Sequence, residues 1–288
     1  MEKISVSVNE NTGSKRGFCF GAVALIGLAL GLFGCGGGAP AAAGGEGDGA
    51  ASAPVRVVAT TGMIADVARN VAPPGTEVVQ LMASGTDPHL YKPTRSDVIK
   101  LSEADTILYN GLHLEGKMGE VLERMAGDGK GVHAVAGKFS QADTLLIDGD
   151  PHVWMDISLW TDVTAFIAAV LNDLPLDDFT AELARTNWPA YQEQLGELDR
   201  YARRCIASIP KRQRVLITAH DAFGYFGRAY GIEVRGIQGI STESEAGVND
   251  IERLVTFITE REIPAVFAET SVADKNVRAL VEGCRTAG

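Results

Sequence analysis

The chain has 288 residues, of which 45% are hydrophobic and 22% charged, and its formal net charge at pH 7 is −11. This apolar content excludes a wholly disordered protein, and four cysteines in this length exclude a scaffold built on disulfides. The acidic balance argues against a nucleic-acid binder, because such proteins need clustered lysine and arginine. The composition therefore predicts a globular protein with enough chain for one large domain or two lobes.

The first 54 residues predict an export signal followed by a tether. Two basic residues, Lys15 and Arg16, precede an apolar run that is shorter than the roughly 20 residues needed to span a membrane. Residues 1–34 resemble a bacterial lipoprotein signal peptide, with Cys35 as the residue that is lipidated. A simple membrane anchor is the alternative. The Gly/Ala-rich stretch 35–54 predicts a flexible tether, so the rest of the chain is expected outside the cytoplasm, lipid-anchored to a bacterial membrane.

From residue 55 onward, short β-branched runs alternate with apolar residues at helical spacing. The predicted strands lie at 55–60, 77–82, 106–109, 214–218, 234–237 and 265–268. Between the second and third of them, Thr94 and Asp97 have the spacing of a capping box that opens a helix. Strands that alternate with helices predict an α/β fold with parallel sheets.

Two lobes are predicted, an N-terminal α/β lobe at 55–172 and a C-terminal α/β lobe at 211–288, joined by a linking helix region at 173–210. An apolar stripe at 191–209 predicts one helix roughly 28 Å long, with Pro189 in its first turn. This helix is either a stiff strut between the lobes or an ordinary covering helix. The C-terminal lobe stops after a helix, where the alternation requires another strand, so this lobe is expected to be incomplete.

Two histidines have the same local sequence of acid, proline, histidine, any residue and aromatic. His89 follows Asp87-Pro88, and His152 follows Asp150-Pro151. Proline stiffens each loop, and the neighbouring carboxylate can accept a hydrogen bond from the imidazole or from loop amides. Because this setting occurs twice, both histidines are stronger candidates for metal ligands than an ordinary loop histidine.

A third histidine, His220, follows the strand predicted at 214–218 and precedes Asp221. In open parallel sheets, ligands bind beyond the carboxyl ends of the strands. Three neutral imidazoles can hold a divalent transition metal, so His220 is the third candidate ligand and Asp221 a candidate orienting acid. His113 and His133 lack this setting and are expected to be structural and local residues, respectively.

Several motifs together resemble one known family. The matching stretches are 85–89, 109–111, 150–154, 218–223 and 239–243. From about residue 55 to its end, the chain resembles the metal-binding solute-binding proteins of bacterial ABC importers for zinc and manganese (solute-binding protein family 9), which include lipoproteins once labelled adhesins. The resemblance implies two α/β lobes joined by a rigid helix, with the metal between them. It implies His89 and His152 as ligands from the first lobe and His220 as the ligand from the second.

The family's fourth ligand is a carboxylate in a later segment, for which this chain has no match, and it is expected beyond Gly288. Glu269, which ends a predicted strand, is the candidate substitute carboxylate, whereas Glu243 and Glu245 fit an exposed turn better. Two further residues, Cys205 and Cys284, lie on predicted apolar helix faces. They are expected to be buried thiols, with a disulfide as the alternative.

The function expected from these features is capture of a divalent metal and delivery to an ABC permease with its ATPase subunit. Zinc is expected as the bound metal ahead of manganese, because three imidazoles form a nitrogen-rich site, and iron is the third option. The chain is not expected to be an enzyme, because it has no His-Glu-x-x-His, Gly-x-Ser-x-Gly or P-loop motif. A surface adhesin and a zinc-dependent hydrolase are the alternative functions.

Overall fold

The computed structural model describes residues 54–129, 131–137, 139, 145–147, 149–174 and 187–287, together with the backbone of residues 5–8 and 178–186. Cys35 and most of the predicted signal and tether lie outside the described residues. The strands are β1 (Ser5–Val8), β2 (Arg56–Ala59), β3 (Glu77–Gln80), β4 (Thr106–Tyr109), β5 (Val132–Ala134), β6 (Val215–His220), β7 (Glu233–Gln238) and β8 (Ala265–Ala268). The α-helices are α1 (Gly62–Val71), α2 (Arg95–Ser102), α3 (Lys117–Gly127), α4 (Ile157–Asn172), α5 (Asp178–Ser208), α6 (Gly224–Tyr230), α7 (Val248–Glu260) and α8 (Lys275–Ala287).

The first lobe is built on a parallel sheet with the strand order β3-β2-β4-β5. Successive side chains of a strand point to opposite faces, and both faces of this sheet are covered. Val57 of β2 packs in the core formed with α1, α4 and α5, and its neighbour Val58 packs in the core formed with α2 and α3. This burial on both faces explains why two consecutive apolar residues lie at the centre of β2, β3 and β4.

The second lobe is built on a parallel sheet with the strand order β1-β8-β6-β7. Its core joins Ile217 of β6 and Val266 of β8 to the apolar faces of α7 and α8. Strand β1, which lies inside the stretch predicted as an export signal, pairs with β8 in the register Ser5 to Ala265. The six predicted strands all occur in the predicted order, whereas β1 was not predicted.

The linking helix α5 differs from its prediction. It has 31 residues and is therefore roughly 46 Å long, and Pro189 lies inside it rather than in its first turn. Tyr191 and Leu195 are buried in the core of the first lobe, as in a covering helix. The predicted stripe does not continue as a buried face, because Leu198 is 51% exposed and Cys205 is also exposed.

The second half of α5 is connected to the second lobe by polar contacts. Asp199 accepts a hydrogen bond from the hydroxyl of Tyr230 at 3.1 Å, and Arg203 donates to the backbone carbonyl of Ala229 at 3.1 Å. The helix therefore both covers the first lobe and braces α6. Both described cysteines are free thiols: Cys284 is buried as predicted, and the prediction of burial for Cys205 is wrong.

The start of α2 confirms the predicted capping box. Thr94 accepts the backbone N–H of Asp97 at 3.3 Å, and the Asp97 carboxylate accepts the backbone N–H of Thr94 at 2.8 Å. The hydroxyl of Tyr91 also donates to this carboxylate, at 2.8 Å. Burial pushes the pKa of Asp97 upward, but these hydrogen bonds outweigh it and hold the pKa below its usual 3.8.

Three elements of the first lobe were not predicted, namely α3, α4 and β5. Strand β5 has only three residues, which is too short for a periodic signal. Helix α4 packs beside α1 and α5, and its buried apolar residues all join the first-lobe core. These elements matter for the site, because the loop after β5 leads to Asp150 and His152.

Candidate metal centre

His89 lies on the loop after β3, and that loop is held from both lobes. The Asp87 carboxylate accepts the His89 backbone N–H at 2.9 Å through one oxygen and the Thr242 hydroxyl at 2.6 Å through the other. Thr242 comes from the loop after β7 in the second lobe. Gly116 packs against the His89 carbonyl at a φ of 47°, where a Cβ atom would lie 2.5 Å from that oxygen. Only glycine therefore fits without displacing His89.

His152 is presented by the loop before α4. One oxygen of Asp150 accepts the His152 backbone N–H at 2.9 Å and lies 2.8 Å from its Nδ1. The same loop is held by Asn110, which donates to the Pro151 carbonyl at 3.0 Å, and by Tyr225, which donates to the Asp150 carbonyl at 2.9 Å. Because Nδ1 is engaged by Asp150, the Nε2 of His152 is the nitrogen available for a ligand.

His220 is the last residue of β6, at the carboxyl end of the second sheet. Its backbone N–H donates to Glu269 Oε1 at 3.1 Å. Its Nδ1 lies 2.8 Å from Glu269 Oε2, an ion-pair distance, although the carboxylate is out of line with a hydrogen bond from this nitrogen. Glu269 follows β8, which is the neighbour of β6 in the sheet.

The three imidazoles meet between the carboxyl ends of the two sheets. His89, His152 and His220 are only 5%, 2% and 6% exposed, and one ligand nitrogen from each lies within 4.8 Å of the other two. The Nε2 atoms of His89 and His152 are 3.3 Å apart. A tetrahedral zinc with bonds of about 2.0 Å to nitrogen places its ligands about 3.3 Å apart, so this donor set fits such an ion.

The electrostatics of the cluster favour a neutral His89. Burial, followed by the charge of the neighbouring His152, lowers the pKa of His89 to about 4, and Asp87 only partly offsets this. His89 is thus neutral at pH 7, with a lone pair free for a cation. Asp221 is half-buried, and burial together with the charge of Asp150 raises its pKa. Both pKa shifts arise mainly from burial, and repulsion by a neighbouring like charge adds to each.

The other residues singled out in the sequence lie outside this cluster of ligand nitrogens. Glu269 contacts His220 from behind, at Nδ1 and the backbone amide. Glu243 and Glu245 are exposed, as the sequence predicts for a turn. His113 is exposed, and His133 lies on β5 at the far edge of the first sheet.

Sequence reasoning missed residues that support the site. Glu115 is 1% exposed and accepts hydrogen bonds from the Thr60 hydroxyl at 2.8 Å and from the backbone N–H groups of Asn110 and Gly111 at 2.6 and 3.1 Å. Burial raises the pKa of this carboxyl group. Glu115 fixes the turn after β4, and so places the Asn110 side chain against the His152 loop. The signal available in the sequence is an acid shortly after an Asn-Gly turn.

Two further contacts cross between the lobes. Tyr225, on α6 of the second lobe, is fully buried in the first-lobe core, and its hydroxyl accepts the Ile147 backbone N–H at 3.1 Å. Arg228 donates to the Asp156 carboxylate at 3.3 Å. Neither residue was assigned a role from the sequence.

Among the described residues, no helix is both long enough and apolar enough to cross a membrane.

Comparison with known proteins finds the same arrangement over both lobes. A family model described as zinc-uptake complex component A, periplasmic (ZnuA), matches residues 57–287. The zinc-binding protein TroA of Treponema pallidum is 46% identical over 248 residues, which cover 85% of this chain and 79% of TroA. The manganese-binding lipoprotein MntA of Bacillus subtilis is 44% identical over 239 residues, covering 81% of this chain and 77% of MntA.

The same likeness extends to a solved structure. The periplasmic zinc-binding protein TroA from Treponema pallidum matches with a TM-score of 0.76 at 45% sequence identity, covering 81% of this chain and 84% of that chain. The shared architecture confirms the predicted α/β class with parallel sheets and the family resemblance of the motifs.

Proposed function

Because this chain belongs to the zinc-uptake complex component A family of metal-binding solute-binding proteins, we propose that it captures a divalent transition metal outside the cytoplasm for delivery to an ABC permease. Its relatives TroA and MntA are named as metal-binding proteins and a third as an ABC transporter substrate-binding lipoprotein, not as enzymes, so the hydrolase alternative is not favoured. The adhesin alternative has no observation in this structure to support it.

The observation that carries this proposal is the buried cluster of His89, His152 and His220. Burying three imidazoles together is costly unless their ring nitrogens are paired, and one shared cation would pair a nitrogen of each. The cluster draws on both lobes, and hydrogen bonds accepted by the Asp87 and Asp150 carboxylates hold two of its loops. A site of this kind binds a cation by coordination alone and requires no redox chemistry.

We propose zinc as the preferred cargo, ahead of manganese, with iron as the third metal to compare. Nitrogen donors suit zinc better than manganese, which favours oxygen ligands. The two relatives differ in this respect, since TroA is named for zinc and MntA for manganese. The proposal names three ligands, and metal spectroscopy of the loaded protein would identify the fourth.

The remaining parts of the proposal concern location and partners. Processing and lipidation at Cys35 would remove β1 with the signal and would keep the binding lobes on the outer side of a bacterial membrane, and the 35–54 tether would let them reach the permease. An ABC permease and its ATPase subunit are the proposed partners. Mass spectrometry of the protein purified from its native membrane would test the anchor, which requires a diacylglycerol-modified cysteine at the mature N-terminus.

Calorimetric titration of the metal-free protein with Zn²⁺ and Mn²⁺ tests the binding site. We expect one ion per chain, and we expect the double variant His89→Ala/His152→Ala to lose affinity by at least about 100-fold, more than the loss typical of an outer-shell residue. The matched control is His113→Asn, which removes an exposed histidine at a φ of 64° that asparagine tolerates. Unchanged affinity in the double variant would refute the site.

A further inference from the structure

We propose that Glu269 is a positioning residue for His220, which fixes the imidazole so that its Nε2 faces the metal. This inference rests on the proposed function, because it concerns the same site. It also differs from the expectation that Glu269 replaces a missing carboxylate ligand. The supporting observations are the register of β6 and β8, the two contacts that Glu269 makes, and a parallel arrangement at His152.

The register of the second sheet places the two residues side by side. Thr218 of β6 pairs with Phe267 of β8, and His220 and Glu269 each follow two residues later. Side chains two residues apart on a strand point to the same face. His220 and Glu269 therefore leave the carboxyl ends of adjacent strands in the same direction, although 49 residues separate them in sequence.

Both oxygens of Glu269 are directed at His220. Oε1 accepts the His220 backbone N–H at 3.1 Å, and Oε2 lies 2.8 Å from Nδ1. The Glu269 side chain is only 16% exposed, so these contacts are shielded from water. Glu269 is not among the residues whose ligand atoms lie within 4.8 Å of one another. It is accordingly placed to orient a ligand, and it does not lie with the ligand nitrogens.

A related arrangement occurs at His152, where Asp150 is within hydrogen-bond geometry of Nδ1, whereas Glu269 lies out of line with the Nδ1 of His220. Asp150 accepts the His152 backbone N–H at 2.9 Å and lies 2.8 Å from its Nδ1, so one carboxylate again contacts both the amide and the ring. The two cases arise differently in sequence, because Asp150 is two residues from its histidine and Glu269 comes from another strand. One histidine from each lobe therefore has its own carboxylate.

The chemical consequence concerns which ring nitrogen carries the proton. A neutral imidazole has one N–H and one lone pair, and a carboxylate beside Nδ1 stabilises the tautomer with the proton on Nδ1. The lone pair is then on Nε2, where a metal can bind. A residue that hydrogen-bonds to a metal ligand also makes the ring a stronger electron-pair donor to the metal. Loss of such a residue typically lowers metal affinity by about 10–100-fold.

The variant Glu269→Gln tests this role in the full chain with Zn²⁺ as the probe. We expect zinc affinity to fall by about 10–100-fold. The matched control is Glu243→Gln, which removes the same charge from an exposed position in the same lobe and should change affinity by less than about 3-fold. A loss as large in the control would mean that long-range charge, not positioning, is responsible, and would overturn the proposal.

A double-mutant cycle separates positioning from direct coordination. If Glu269 acts only through His220, adding Glu269→Gln to His220→Ala should cause no further loss of zinc affinity. A further loss of 10-fold or more, or an oxygen of Glu269 in the zinc coordination shell by X-ray absorption of the wild type against Glu269→Gln, would overturn the proposal. If His220→Ala itself leaves zinc affinity unchanged, the proposed site fails, which is a different outcome from a silent Glu269→Gln.

A measurement on the unmodified chain keeps the test independent of how the variants fold. Long-range ¹H–¹⁵N spectra distinguish the two tautomers of histidine, and His220 can be assigned from the His220→Ala spectrum. We expect His220 of the metal-free protein to carry its proton on Nδ1 at neutral pH, and Glu269→Gln to shift the population toward the other tautomer. A wild-type His220 with its proton on Nε2 would contradict the proposal.

Discussion

Replacing Tyr225 with phenylalanine is expected to weaken the brace between the two lobes. The Tyr225 ring is completely buried in the first-lobe core although it belongs to α6 of the second lobe. Its hydroxyl donates to the Asp150 carbonyl at 2.9 Å and accepts the Ile147 backbone N–H at 3.1 Å. Phenylalanine keeps the ring and its packing, so the change removes these two hydrogen bonds and little else.

The magnitude follows from those two bonds. Each hydrogen bond contributes about 1 kcal/mol net, and leaving a buried backbone group without a partner adds a desolvation cost. We expect Tyr225→Phe to lower the free energy of unfolding by about 2–3 kcal/mol. Because Asp150 also holds His152, we expect zinc affinity to fall as well, since the loop loses one of its anchors.

Urea unfolding of the metal-free protein measures the first effect, and calorimetric zinc titration measures the second. Tyr201→Phe is the matched control, because Tyr201 is 59% exposed and the same loss of a hydroxyl there should change stability by no more than about 0.5 kcal/mol. If Tyr225→Phe changes stability as little as this control, the hydroxyl does not brace the lobes and the reasoning is wrong.

Three other predictions concern the loops and the first lobe. Thr242→Val removes the hydroxyl that donates to Asp87, so we expect a stability loss of about 1.5 kcal/mol by urea unfolding, and an unchanged midpoint would contradict this. Gly116→Ala places a Cβ 2.5 Å from the His89 carbonyl, so unfolding free energy should fall by at least about 1 kcal/mol and zinc affinity should also fall, whereas wild-type values for both would count against the close packing. Asp97 has a pKa below 3.8 in the folded protein, so its contribution to stability is present above that pH and is lost as the pH falls through the folded-state pKa. Asp97→Asn should therefore flatten the decline in stability below pH 4 in acid titrations followed by circular dichroism, and a decline as steep as in the wild type would refute this.

The sequence by itself determined the fold class and the order of most elements. Parallel strands covered on both faces are buried along their length and rich in apolar residues, as in β4, whose bounds were predicted as they are observed. The capping box at the start of α2 was also readable, because its two residues are three apart in the chain. Local signals of this kind survive folding because the interactions that cause them are local.

The three candidate ligands were also readable, for the same reason. His89 and His152 each carry an Asp-Pro setting within two residues, and His220 ends a strand in a predicted parallel sheet. The structure places all three in one buried cluster. Binding of a metal by this cluster remains the proposal that the titration tests.

The tertiary structure alone decided what supports these histidines. Glu269 reaches His220 from 49 residues away, and Thr242 reaches Asp87 from 155 residues away. Neither pairing has a periodic or local signature, because each depends on the register of the second sheet or on how the two lobes meet. The same holds for α5, where neighbouring helices decide that Tyr191 is buried while Leu198, on the same predicted stripe, faces solvent. A helical pattern specifies a face of the helix, and only the packed neighbours determine how much of that face is covered.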